Sequence, residues 1–320
     1  MNDFPIIGIK SGIKQLELFV NSEFKYFEAY TNYNDDLTQL LNTDMVMYAI
    51  HMPNSISVDN SLVSFDLLAD NSAAKYSIEL LDKIISFSID NKVPNIILHA
   101  GFYNDLITDN NEAISNLANI LDKYKNIPVT ICLENVPAWI NQYGYKQPII
   151  STYKHLIKIN EMLPHIGSVI DVDHLAINTI FESYISTKSY HAMNKNIMET
   201  DYLKYAQRNI KKLTALINDE ISCAFNNHTP TIIHAVGSDF LNYFYYNQLP
   251  LIGEGLPLNY NEYINMFLVN DKIEHTRWIN KCNSVKYITM ELILRENDYS
   301  YINELERNHK IIIKLLNKSI

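Results

Sequence analysis

Six short apolar runs in this chain end on a side chain able to bind a metal. MVMYAIH closes on His51, PNIILH on His99, PVTICLE on Glu134, IGSVID on Asp171, TIIH on His234 and YITME on Glu291; a seventh, KYFEAY, carries Glu28 two residues before its end. Strands of a parallel sheet, buried on both faces, read as unbroken Val/Ile/Leu runs. A His, Asp or Glu at the end of strand after strand gathers these side chains on one rim if the sheet closes into a barrel. In a (β/α)8 barrel that rim is where catalysis is built.

Eight strands are predicted, over 5–9, 25–30, 45–51, 95–99, 128–134, 167–171, 231–235 and 286–291. Helical patterns lie between most of them. Segment 72–91 has apolar residues close to a 3.6-residue period, and 111–125 and 150–163 read the same way. Strand alternating with helix argues for a parallel sheet, and eight such strands argue for closure. An open doubly wound sheet would place ligands at one switch point and leaves polar residues at nearly every strand end unexplained. The expected fold is therefore an α/β (β/α)8 TIM barrel of one domain, 1–320. Two connections are long. Between strands 6 and 7, segment 199–222 reads as the packing helix, leaving 175–198, with Tyr184, Tyr190 and His191, as an inserted lid or partner-docking loop. The connection 236–285 holds a GEG turn at 253–255 and a helical pattern at 260–269, and the tail 299–318 is helical in pattern.

A chain of 320 residues with 47% hydrophobic content supports one large core. Glycine is scarce at 8 residues, and neither GxGxxG nor GxxxxGK[ST] occurs, so a glycine-rich phosphate loop is not the device here. The net charge of -10 and pI of about 5.4 provide no pull toward nucleic acid or anionic membranes, and neither is expected as a partner. Cys132, Cys223 and Cys282 are odd in number and widely spaced, with no CxxC, which fits free thiols in a reducing cytosol. The opening MNDFPIIGIKSG lacks a basic segment followed by a long apolar core, and no apolar run approaches the roughly 20 residues of a membrane span. A cytoplasmic location is the expectation.

Mixed imidazole and carboxylate ligands suit Zn, Mn or Fe. Glu134 can bridge two ions, with His51 and His99 on one side and Asp171, His234 and Glu291 on the other. Paired ions about 3.5–4 Å apart serve hydrolysis. A single ion in the second set would instead leave Glu134 and Glu291 beside a substrate as acid and base. One or two divalent ions are thus expected. Singly, each residue has a plainer reading: a strand-end His is often structural, and a strand-end Asp or Glu often caps the next helix. Six on six strands are not independent accidents. His174, in DVDH, is a further ligand or a substrate contact with a catalytic role. Asp173 points to the opposite face if the strand continues. Glu28, Asn54 and Glu254 are candidate substrate contacts. His155, His165, His191, His228, His275 and His309 read mostly as surface residues.

The pieces 51-HMPNS, 98-LHAG, 133-LENVP, 170-IDVDH, 233-IHAVGSD, 252-IGEG and 290-MEL resemble, in order and spacing, the xylose isomerase-like TIM-barrel superfamily. That group includes endonuclease IV and many sugar-phosphate isomerases and epimerases. The resemblance implies a first metal site at His51, His99 and Glu134. It implies a second at Glu134, Asp171, His234 and Glu291, which is also the single site of ketose epimerases, and it matches His174 to the family's D-x-x-H histidine. The chain departs from both branches. Asn247, Gln248 and Leu249 stand where endonuclease IV carries an Asp-x-His pair, and Asn54 where it carries a DNA-probing aromatic. Ile140 and Phe240 stand where ketose epimerases usually carry a Glu and an Arg. LENVPAWI, DVDHLAIN and IHAVG are also similar to multinuclear-iron oxygenases that modify peptides, often with a partner protein that delivers the peptide. The expected activity is isomerase, epimerase or lyase chemistry on a polyhydroxylated small molecule. An iron oxygenase acting on a peptide or small metabolite and a phosphoester hydrolase are the alternatives.

Overall fold

The computed structural model describes residues 5–58, 61–69, 72–103, 109–137, 139–141, 144–146, 148–187, 204–206, 208–236, 276–279, 281, 284–291 and 300–318. Eight strands close a barrel: β1 (Ile6–Gly12), β2 (Tyr26–Tyr30), β3 (Val46–His51), β4 (Asn95–Leu98), β5 (Thr130–Glu134), β6 (Gly167–Asp171), β7 (Ile232–Val236) and β8 (Tyr287–Glu291). Each pairs in parallel with its sequence neighbours, and β8 closes on β1 through Ile6↔Tyr287 to Ile9↔Met290. Seven of the predicted strands lie within two residues of these bounds, and the first, predicted over 5–9, runs three residues further to Gly12; runs buried on both faces carry an unambiguous signal.

Outside the barrel lie α1 (Ser72–Asp90), α2 (Asn110–Leu121), α3 (Tyr153–Met162), α4 (Val172–Ile185), α5 (Ile210–Asn227), α6 (Thr276–Ile279) and α7 (Ser300–Lys318). Short 3-10 helices, Ile13–Phe19 and Leu37–Leu41, replace α-helices after β1 and β2. The α1 helix buries Ala73, Ser77, Leu81, Ile84, Ile85 and Ser88, a single stripe at helical spacing. It stops at Lys92, whose φ of 57° lies in the left-handed region, and Val93 N–H closes the turn on Ser88 O at 2.8 Å. Asp109 starts α2 by accepting from Asn111 and Glu112 N–H.

Two expectations shift. Residues 175–185 of the expected lid belong to α4, which buries Leu175, Ala176, Ile177, Ile180, Phe181 and Tyr184 between the barrel and α5. Its apolar residues occupy too much of the circumference for a surface loop. Residues 188–198 of that segment, with Tyr190 and His191, lie outside the described residues. The packing helix expected over 199–222 is α5, whose buried stripe of Leu213, Ile217, Ile221, Ala224 and Phe225 carries it on to residue 227. The turn at 253–255 and the helix at 260–269 also lie outside the described residues. Among the described residues, no helix is long and apolar enough to cross a membrane.

Inside the barrel, Tyr48, Ala49, Ile97, Cys132, Val169 and Ile232 form a separate buried cluster against Tyr26 and Tyr287. Tyr48 and Tyr287 stack with centroids 4.7 Å apart. The absence of a side chain at Gly8 is what admits the Tyr48 ring, which any Cβ there would strike.

Candidate metal centre

Alternation along each strand sets the site. Two residues beyond Tyr26, Ala49, Ile97, Cys132, Val169 and Ile232, the same chain segments present Glu28, His51, His99, Glu134, Asp171 and His234, while β8 presents Thr289 and then Glu291. Candidate ligand atoms of His51, His99 and Glu134 lie within 4.8 Å of one another, as do those of Glu134, Asp171 and His234. Glu291 joins the second set through Oε2, 3.2 Å from His234 Nδ1. Glu134 divides between the sets. Its Oε2 lies 2.9 Å from His51 Nε2 and 3.2 Å from His99 Nε2, and its Oε1 lies 3.2 Å from His234 Nδ1 and 3.3 Å from His174 Nδ1.

Three imidazoles are fixed by a hydrogen bond at one nitrogen. His51 Nδ1–H donates to Met52 O at 2.9 Å, His174 Nδ1–H to Asn135 O at 2.6 Å, and His234 Nε2–H to Glu28 Oε2 at 2.9 Å. Carbonyl and carboxylate oxygens only accept, so in the neutral rings the opposite nitrogen offers a lone pair inward. Metal-ligating histidines are held in this way. Glu28 is anchored in turn by Thr289 Oγ1–H at 2.8 Å, and Thr289 Oγ1 lies 2.7 Å from Tyr48 OH.

Asp171 satisfies both readings of a strand-end carboxylate. Its Oδ1 caps α4 by accepting His174 N–H at 2.8 Å, while its Oδ2 is buried without a hydrogen-bond partner. Asn135 locks the backbone there, accepting Asp171 N–H and donating to Asp171 O. The turn after His99 needs Gly101, at φ 103°, where a Cβ would strike Asp66; the Asp66 carboxylate accepts N–H bonds from Leu68 and Phe102.

Buried polar atoms are nearly always hydrogen-bonded. Here Glu134 Oε1, Asp171 Oδ2, His174 Nε2, His234 Nδ1 and Glu291 Oε2 are all buried without a hydrogen-bond partner. They include one atom from each member of the second set. A divalent cation satisfies such a group of donors, so the residues present fit a metal.

Without a cation, protons take that place. Burial opposes charge on His234, yet Glu28 and Glu134 hold its pKa well above the ordinary value. His174 is likewise raised, to about 9, against its own burial, by Asp171 and Glu134. Glu134, despite burial, is held well below the carboxylate range by His234 and His99. Burial, reinforced by the charges of Glu134 and Glu291 against the pull of His174, pushes Asp171 up to about 6. Burial dominates at His99, which falls to about 4.

Glu28, expected at the substrate, is fully buried and turned to His234 and Thr289. Asn54 is exposed on the rim just after β3. Glu254 lies outside the described residues. His155 and His228, expected at the surface, hydrogen-bond with Ser151 and Ser168. Sequence reasoning missed Lys10, whose Nζ reaches Glu291 Oε1 at 2.6 Å. The available signal was a lone ammonium ending the apolar run IIGIK.

The family model described as xylose isomerase-like TIM barrel matches residues 9–230. No curated protein sequence matches the chain significantly. Among solved structures, a D-tagatose 3-epimerase-like protein superposes with a TM-score of 0.59 at 13% identity, covering 98% of both chains. L-ribulose 3-epimerase gives 0.57 at 14%, covering 98% of this chain and 95% of its own. The IolI protein with a bound zinc atom gives 0.52 at 15%, covering 98% and 99%. At these identities the superpositions speak for the fold. With the family model spanning more than half of its length, the chain belongs to the xylose isomerase-like TIM-barrel family.

Proposed function

We propose that this protein is a divalent-metal enzyme of isomerase, epimerase or lyase type acting on a polyhydroxylated small molecule. The observation that carries the reading is the convergence of Glu134 Oε1, Asp171 Oδ2, His234 Nδ1 and Glu291 Oε2, buried and without hydrogen-bond partners. These four residues would hold the ion, with Mn, Fe or Zn suited to the donors. When bound, it supplies Lewis acidity toward adjacent substrate oxygens.

The chain's own groups move the proton. Lys10 holds Glu291 ionised, bringing its pKa down to about 2 against the opposing effect of burial, and Glu134 is ionised as well. Of the two, Glu134 can take a proton from carbon next to a carbonyl, since both oxygens of Glu291 are committed, one to Lys10 and one to the ion. His174, with Nδ1–H committed to Asn135 O, has Nε2 free to return one. Asn54 on the rim offers an amide to a substrate hydroxyl. The side chains of His99 and Glu291 retain 17% and 14% exposure, so small polar molecules reach the centre from their side. In D2O, the metal-loaded protein with a panel of ketoses and hydroxycarbonyl compounds is expected to wash deuterium into the carbon beside the carbonyl, read by NMR. Oxygen consumption without deuterium uptake would overturn this reading.

A second reading rests on the division of Glu134 between the two sets. Two ions bridged by Glu134 would suit an iron oxygenase acting on a peptide or small metabolite, with a partner protein presenting a peptide, or a phosphoester hydrolase. Metal analysis separates the readings: one ion per chain supports proton-transfer chemistry, and two irons support the oxygenase.

A further inference from the structure

Lys10 lies in the barrel between two carboxylates that bracket one imidazole. It is paired in register with Glu28 on β2, and its Nζ lies 3.9 Å from Glu28 Oε1 and 2.6 Å from Glu291 Oε1 on β8. Glu28 Oε2 holds His234 Nε2, and Glu291 Oε2 faces His234 Nδ1. The Tyr30 ring lies 5.6 Å from Nζ. The ammonium thus occupies one oxygen of Glu291 and leaves the other, unpartnered, toward the metal ligands.

We propose that Lys10 is a positioning residue that confines Glu291 to one oxygen, Oε2, in binding the ion. Its positive charge also keeps ion affinity below what the carboxylates alone would give, so that one side of the ion is left for substrate. This rests on the metal reading above. The physical basis is twofold. A carboxylate with a free Oε1 can turn to bind through both oxygens, and a like charge a few ångströms from a cation opposes its binding strongly in a buried site. A lysine that merely supported Glu291 would act in the opposite direction, since its loss would let a ligand wander and weaken the ion.

The test is Mn2+ titration of the metal-stripped full chain by calorimetry, on wild type, Lys10→Met, Lys10→Gln and Lys10→Arg. Gln retains an N–H donor and keeps the test readable should the Met variant fail to fold. Both uncharged variants are expected to bind Mn2+ about tenfold tighter or more, since they remove an opposing charge. Arg is expected to restore affinity to within about threefold of wild type, because it keeps the charge. Equal or weaker binding by the uncharged variants overturns the proposal while leaving the metal centre intact. Failure of wild type to bind Mn2+, Zn2+ or Fe2+ overturns both.

Discussion

The lower interior layer of the barrel and the rim layer above it stand two residues apart on the same strands, yet they are built on opposite principles. Ala49, Ile97, Cys132, Val169 and Ile232 pack against one another in one buried apolar cluster. At the rim, Glu134, Asp171, His174, His234 and Glu291 each bury a polar atom without a hydrogen-bond partner. Apolar burial stabilises a fold, whereas unsatisfied buried polar atoms cost about 1–3 kcal/mol each. The rim therefore weakens the ion-free protein and the layer beneath carries it. Tyr48 and Thr289 join the two, passing hydrogen bonds from the lower layer up to Glu28 and His234.

Substitutions in each layer should separate along this division. Glu134→Gln removes the one carboxylate shared by both ligand sets. If about 10–16 kcal/mol of structural ion binding is spread over four ligands, losing one costs about 2.5–4 kcal/mol and lowers affinity on the order of a hundredfold or more. Ile97→Ala, one layer below, should do the reverse, costing about 2–5 kcal/mol in chemical denaturation while ion stoichiometry is kept. A variant that loses both properties together would show that the layers are not independent.

Most of the fold was legible because local pattern carried it. Short apolar runs marked the strands, and the metal-binding side chain ending six of them marked the rim. What escaped depends on pairing between distant segments. Lys10 meets Glu291 from 281 positions away, and nothing local distinguishes it from a solvated strand-end lysine. Glu28 was visible as a rim carboxylate, but its commitment to His234 is a cross-barrel contact between β2 and β7. Asp171 looked like either a ligand or a helix cap, and its two oxygens divide those roles. The length of its connection suggests a loop over 175–185, although the apolar density there is that of a helix buried on more than one side.

Smaller effects probe the link between the layers. Glu28→Gln weakens the hydrogen bond that orients His234 and is expected to lower ion affinity by about 10–100-fold, with Thr289 and Tyr48 remaining in place. Acidity should weaken the ion too. His234 has a raised pKa and holds a proton on the lone pair that an ion needs, and His174, raised to about 9, places a second positive charge beside the ligands. Apparent Mn2+ affinity should therefore rise with pH from 6 toward 9, by up to about tenfold per unit for each proton displaced. A flat profile would mean that these imidazoles do not face the ion. Far from both layers, Lys92→Gly relieves a left-handed residue at the end of α1 and should add up to about 1 kcal/mol without changing ion binding.

Anomalous diffraction from crystals of the metal-loaded protein tests the centre most directly. The expected result is an ion about 2.0–2.2 Å from donor atoms of Glu134, Asp171, His234 and Glu291. An ion bound elsewhere, or none at these four side chains after loading, would contradict the assignment.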